Sequence, residues 1–394
     1  MERRRHVRSC RLDKRTMVSA PSKKFRVLVV DDSTFMRKVL ESIFNGDEQF
    51  QVIGQAKDGR EAISLSDSLK PDVITMDLNM PHMDGLQATA HIMTSNPRPI
   101  VIVSSESKEG AASTLRALEL GAIDFVTKPS SGIDLDMQSV KDDLLRKVRM
   151  AAKVRVVRTA TRLAAALQAP MDPAQTPKVQ PAVARLSNGA ALPADARFPV
   201  VVLAASTGGP ATVMRLAPGF TKDFPAAVIL VQHMPAAFTT QYALQLAEFT
   251  GIRVKEAEAN EPVQPGTFYI CPGGQHLRVS ATGRIQLDGT TGRIEGYLPN
   301  IDVTMESVAA FSGAMSIGAV LTGMGSDGAR GAKAIKGAGG YILAQDEATS
   351  VIFGMPAEAI KSGAVDQVLG IDDIYPAIEK RVLALSRLSP VGAR

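Results

Sequence analysis

Two groups of residues in this chain have types and spacing that could do chemistry. The first is acidic. Asp31 and Asp32 follow the apolar run RVLVV (26–30), and Asp77 follows DVITM (72–76). Carboxylates brought together at strand ends would make an oxygen-rich pocket for a hard cation such as Mg²⁺. Lys128, after a further apolar run, can reach that pocket as a point charge toward phosphate, and Ser104 adds a hydroxyl. A carboxylate beside such a cation, with a lysine and a hydroxyl facing phosphoryl oxygens, is suited to forming an aspartyl phosphate. The second group is Ser206, His233 and Asp327. A serine on a sharp strand-to-helix turn exposes its Oγ beside backbone N–H groups, and the glycines at 208 and 209 admit a close substrate. His233 follows the buried run at 226–231, and Asp327 lies in the loop GMGSDG (323–328). Nucleophile, base and an acid orienting the base can meet in one crevice. Singly, each residue reads as a cap, a turn residue or a structural histidine; only the joint arrangement carries the expectation.

The elements that must position these groups are legible as alternation. Apolar, β-branched runs at 26–30, 52–56, 72–76, 99–103 and 123–126 predict strands, with helices at 35–44, 60–69, 86–95, 111–120 and 137–157. Buried strands alternating with helices predict a parallel, doubly wound sheet whose function gathers beyond the strands' carboxyl ends. A proline- and alanine-rich stretch from about 158 to 197 reads as a linker of some 40 residues. A second α/β unit follows, with strands at 199–204, 226–231, 316–321 and 340–344. Residues 252–300 are rich in glycine, proline and short alternations such as 267–271, which predicts hairpins. The expected domains are a disordered basic extension (1–23), a unit at 24–148, a helical start and linker (149–197) and a second unit at 198–390.

Composition narrows the function class. Residues 1–23 carry a net charge of +6 and the other 371 a net of −1, so the basic balance belongs to a tail and not to a nucleic-acid-binding face. That tail lacks an apolar signal region, and Met17 is an alternative start. No apolar run is long enough to cross a membrane. The two cysteines, Cys10 and Cys271, exclude a disulfide framework. A cytoplasmic protein with no nucleic-acid partner and no membrane insertion is expected.

Two resemblances sharpen this. VLVVDDS (27–33), DVITMDLNMPHMDG (72–85), VSS (103–105) and TKP (127–129) resemble the response-regulator receiver domains. That resemblance implies Asp77 as phosphoacceptor. It implies Mg²⁺ held by Asp32, Asp77 and the backbone carbonyl of Asn79, with Asp31 assisting, and Ser104, Phe125 and Lys128 as switch residues. AASTGGP (204–210), VQHMP (231–235), CPGGQHL (271–277), LTGMGSDGA (321–329) and AQDEATSVIFGMP (344–356) resemble the catalytic domain of the chemotaxis protein-glutamate methylesterases. It implies Ser206 as nucleophile, His233 as general base and acid, and Asp327 as its orienting carboxylate. Thr207, Met324 and His276 would line the site. Ala204 stands where the family usually has glycine.

The expected protein is thus a phosphorylation-activated serine esterase. It would hydrolyse glutamate methyl esters on the cytoplasmic helices of chemoreceptors, deamidate specific receptor glutamines, and take its phosphoryl group from the chemotaxis histidine kinase. The esterase site needs no cofactor and, for a protein substrate, should be open. Two other classes are weighed against this. A binding module without chemistry is disfavoured by the intact serine, histidine and aspartate. A DNA-acting regulator would need a basic face that the sequence lacks.

Overall fold

The computed structural model describes residues 24–104, 107–128, 134–154 and 198–388. The basic extension and the linker expected at 158–197 lie outside these. The N-terminal unit runs β1 (Phe25–Val30), α1 (Thr34–Asn45), β2 (Phe50–Ala56), α2 (Gly59–Leu69), β3 (Val73–Met76), α3 (Gly85–Ser95), β4 (Ile100–Ser104), α4 (Lys108–Glu119), β5 (Asp124–Thr127) and α5 (Asp134–Ala151). Its five strands are parallel in the order β2-β1-β3-β4-β5. Strands such as Val27–Val30 and Ile100–Val103 are buried on both faces, which is why they read as unbroken apolar runs. Short polar residues start the helices. The side chains of Ser33, Asp58, Asp84 and Ser107 accept N–H bonds from the first turns of α1, α2, α3 and α4. The last helix reaches Ala151, and Ala152 and Val154 still pack on this unit's core, so the expected boundary at 148 falls inside it.

The C-terminal unit runs β6 (Val200–Ala205), α6 (Gly209–Leu216), β7 (Ala227–Gln232), α7 (Ala236–Phe249), β8 (Arg253–Glu256), β9 (Thr267–Ile270), β10 (His276–Val279), β11 (Ile285–Asp288), α8 (Ile301–Ser312), β12 (Ser316–Val320), α9 (Ala329–Gly337), β13 (Tyr341–Gln345), α10 (Met355–Lys361), β14 (Gln367–Leu369) and α11 (Ile371–Leu388). Seven strands form one parallel sheet in the order β14-β13-β12-β6-β7-β9-β8. The order reverses at β6, so the ends of β6, β7 and β12 open on one crevice. The expectation of hairpins across 252–300 is corrected in part. β9 is an inner strand of the main sheet, buried on both faces, and only β10 and β11 form an antiparallel pair. The segment TFYI mixes polar and apolar side chains, which mimics the alternation of a half-exposed strand.

The two units share a continuous apolar core. It passes from the N-terminal sheet through Phe125 to Phe238, Tyr242 and Leu246 of α7, and α4 lies against α7. The ring centroids of Phe125 and Phe238 are 4.4 Å apart.

Gly85 ties the fold to the acidic pocket. A Cβ there would sit 2.0 Å from the backbone oxygen of Asp77. Gly85→Ala should therefore push the end of β3 outward and lower the stability of the N-terminal unit by about 1–3 kcal/mol. The check is the denaturant midpoint of its unfolding transition, and an unshifted midpoint would show that this contact is not tight.

Candidate active site and receiver pocket

Ser206 sits just past β6 in a turn fixed from both sides. Its N–H donates to Thr322 O at 3.0 Å, and its carbonyl accepts from Gly209 N at 2.8 Å and Gln232 Nε2 at 2.9 Å. Gly208 has a φ of +75°, and a Cβ there would lie 2.6 Å from the Val351 side chain, so the turn requires glycine twice over. Ala204 lies two residues back, inside the strand and paired with Val320 and Val231. Its methyl group is fully buried and packs in the core.

The three expected residues meet. His233 Nδ1 is 3.1 Å from Ser206 Oγ, and His233 Nε2 is 2.9 Å from Asp327 Oδ2. A carboxylate can only accept, so Nε2 carries the proton and Nδ1 offers its lone pair to the serine hydroxyl. Asp327 is buried but well satisfied. Oδ2 also accepts from Ile301 N at 2.8 Å and Oδ1 accepts from Asp302 N at 2.9 Å, so the carboxylate lies at the N-terminus of α8. Asn300 caps the same helix by accepting from Val303 N. Asp302 returns the favour to α9: its Oδ1 accepts from Gly328 N and Gly331 N at 2.9 and 2.6 Å. Burial raises the pKa of Asp302 to about 6; its bonds to Gly331 and Gly328 and the nearby Arg330 oppose this, and the Asp327 charge adds to it.

His276 is corrected. It is fully buried, and both of its ring nitrogens are taken up by backbone groups, which leaves neither free for substrate. Nδ1 accepts from Asn300 N at 3.1 Å, which leaves Nε2 to donate to Gly292 O at 2.7 Å. It braces the start of α8, and so supports Asp327 from behind.

In the N-terminal unit Asp31, Asp32 and Asp77 offer carboxylate oxygens that all lie within 4.8 Å of one another. Lys128 Nζ is 2.9 Å from both Asp31 Oδ2 and Asp77 Oδ2. Burial, opposed by Lys128, raises the Asp77 pKa, and Asp31 adds to the rise. Burial works against the Lys128 charge, yet its bonds to the two aspartates hold its pKa above the ordinary value. An all-oxygen donor set of this size fits a hard divalent cation. Asn79 is exposed beside Asp77, and its N–H points to Asp77 Oδ1 at 3.4 Å. Ser104 is buried and donates to Gly110 O at 3.3 Å.

The N-terminal unit covers the crevice. Asp124 Oδ2 accepts from Thr207 Oγ1 at 2.6 Å in a buried contact, one residue from Ser206. Asp124 Oδ1 accepts from Phe125 N, and Lys147 Nζ is bonded to Phe125 O. Arg146 of α5 approaches Met324 Sδ at 4.0 Å, Glu119 of α4 accepts from Gln245 of α7, and Val351 packs on the N-terminal core. Ser206 is left only 7% exposed, so the open site expected for a protein substrate is closed in this arrangement.

Family models match the same two units: CheB methylesterase over residues 201–378 and response regulator receiver domain over 27–138. Over 358 residues the chain is 42% identical to a protein-glutamate methylesterase/protein-glutamine glutaminase of Symbiobacterium thermophilum, covering 91% of this chain and 97% of that protein. The chain belongs to the CheB methylesterase family. A relative of the same description from Pyrococcus horikoshii is 42% identical over 363 residues, 91% of this chain and 94% of its own. The crystal structure of the Thermotoga maritima CheB methylesterase catalytic domain is 39% identical, with a TM-score of 0.45, over 46% of this chain and 98% of that one. Among the described residues no helix is long and apolar enough to cross a membrane.

Sequence reasoning missed Asp124, Gln232, Tyr297, Asn300 and Asp302. Asn300 before an apolar-periodic run was a readable cap, and Asp124 at the head of a buried strand was a readable anomaly. Tyr297 carried no signal of spacing.

The Asp302 shift gives a pH test. Folded Asp302 titrates near 6 and its unfolded counterpart near 3.8, so between these values the folded chain holds the extra proton. Wild type should gain stability relative to Asp302→Asn as pH falls from about 6 to about 4, with a flat difference above that window. Urea denaturation of both proteins from pH 4 to 7.5 measures it, and a constant difference throughout would contradict it.

Proposed function

We propose that this chain is a serine esterase under phosphorylation control. It hydrolyses glutamate methyl esters on the cytoplasmic helices of chemoreceptors and deamidates receptor glutamines. The observation that carries this reading is the continuous Ser206–His233–Asp327 contact at the carboxyl edge of the sheet. Ser206 Oγ attacks the ester carbonyl while His233 Nδ1 takes its proton, and Asp327 stabilises the imidazolium through Nε2–H. His233 then gives that proton to the leaving methoxide, releasing methanol and an acyl-enzyme. Water activated by the same nitrogen frees glutamate and restores Ser206. For a glutamine the leaving group is ammonia. The Ser206 N–H is engaged by Thr322 O, so the oxyanion needs other donors. The Thr207 and Gly208 N–H groups, next in the turn, have no acceptor among the described residues and are assigned that role.

Asp77 is assigned as phosphoacceptor, with a chemotaxis histidine kinase as donor. Receiver domains in general use Mg²⁺ for this step. Here Asp32, Asp77 and the Asn79 carbonyl, assisted by Asp31, would hold the ion, which neutralises phosphoryl oxygens when bound. Lys128 faces the same oxygens. The covering contact from Asp124 to Thr207 supports control by occlusion: the unphosphorylated receiver keeps a receptor helix away from Ser206. Moving Ser104 and Phe125 toward the phosphoryl group would disturb the Phe125–Phe238 packing beside that contact.

Two tests follow from this reading. Ser206→Ala and His233→Ala should each lower methanol release from methylated receptor by about three orders of magnitude or more, because triad members act as a unit. Ser206→Ala should change stability by about 1 kcal/mol or less. Near-normal turnover in either variant contradicts the triad. Asp124→Ala removes a buried charge-assisted hydrogen bond, whose loss on the scale of about 1.5–3 kcal/mol corresponds to a tenfold or larger rise in the unphosphorylated rate. An unchanged basal rate would show that the receiver does not act through this contact.

A further inference from the structure

Tyr297 lies flat on the catalytic imidazole. The ring centroids of His233 and Tyr297 are 4.4 Å apart and the planes differ by 15°. Both ring nitrogens of His233 bond in the plane of the imidazole, to Ser206 and Asp327, so the stacked phenol competes with neither. Two independent features hold the phenol there. The loop is closed by paired backbone bonds between Ile294 and Tyr297, and Asn300 Nδ2 donates to Ile294 O. On the other side, a Cβ on Gly325 would fall 2.0 Å from the Tyr297 hydroxyl oxygen, so the loop carrying Asp327 leaves just enough room for the ring.

We propose that Tyr297 is a positioning residue for the esterase reaction: it fixes the plane of His233 and, through its π face, stabilises the imidazolium that forms as Ser206 attacks. The inference rests on the esterase reading above. A cation above an aromatic face is stabilised most where water is excluded, and this stack is half-buried. Burial, with the Asp327 charge nearby, holds the Tyr297 hydroxyl above its ordinary pKa, so the phenol stays neutral. The charged groups around the stack are Asp327, Glu295 from its own loop and Arg146 from α5. Of these, Asp327 alone bonds the imidazole.

The experiment compares full-length wild type, Tyr297→Phe and Tyr297→Leu with Mg²⁺ and acetyl phosphate present. A soluble receptor fragment bearing glutamate methyl esters is the substrate, and methanol is measured from pH 5 to 9. Tyr297→Phe keeps the ring and should stay within about twofold of wild type. Tyr297→Leu keeps apolar cover without the π face. Its kcat should fall about tenfold with KM little changed, and the acid limb of kcat/KM should move to lower pH because the imidazolium has lost its support. Should the leucine variant fail to fold, Tyr297→Met takes its place. An unchanged kcat and pH profile in the leucine or methionine variant overturns the inference. So does a phenylalanine variant as impaired as leucine, since the hydroxyl and not the face would then matter. A wild type that releases no methanol overturns the esterase reading and this inference with it.

Discussion

A carboxylate buried without water must find its donors in the protein, and here the ends of two helices supply them. Asp327 stands just before α9 and takes the first N–H groups of α8, while Asp302, in the first turn of α8, takes the N–H groups of Gly328 and Gly331 at the start of α9. The exchange locks two helices and the loop between β12 and α9 into one arrangement. That arrangement leaves Asp327 Oδ2 with one further bond, to His233. The tautomer of His233, and with it the lone pair facing Ser206, follows from this constraint. His276 extends it outward by accepting the Asn300 N–H at the same helix end.

Among the receiver elements that cover this site, β5 alone also reaches the acidic pocket. β5 has four residues, about 13 Å at the usual rise per residue. Asp124 at its start holds Thr207, and Lys128 just past its end holds Asp31 and Asp77. Phe125 lies between them and packs across the interface on Phe238. The acidic pocket at one end of β5 and the cover over Ser206 at the other therefore share a single edge strand. An edge strand has a neighbour on one side only, and so can shift at lower cost than an inner one.

The strands and helices were legible where burial on both faces leaves unbroken apolar runs bounded by cap residues, as in β1, β4, β6 and β12. β9 reads as a hairpin strand because Thr267 and Tyr269 are polar enough to suggest exposure, yet both are buried in the main sheet. β8, with exposed Arg253 at the sheet edge, carried no apolar run. Residues at strand ends were legible because doubly wound sheets gather function there, and Ser206, His233 and Asp327 are brought together as expected. His276 was misplaced because a histidine inside a recognisable motif does not reveal whether it faces substrate or backbone. Tyr297 and the partnership of Asp124 with Thr207 were invisible, since both depend on contacts between distant segments that no spacing encodes.

Ser206 is assigned as a nucleophile whose access the receiver controls. The most direct measurement is the rate at which a fluorophosphonate probe modifies full-length protein, with the modified peptide identified by mass spectrometry. The mechanism predicts label on the peptide containing Ser206, slow in the untreated protein and several-fold faster once Asp77 is phosphorylated in the presence of Mg²⁺. Label on another residue, or an equal rate in the two states, would contradict it.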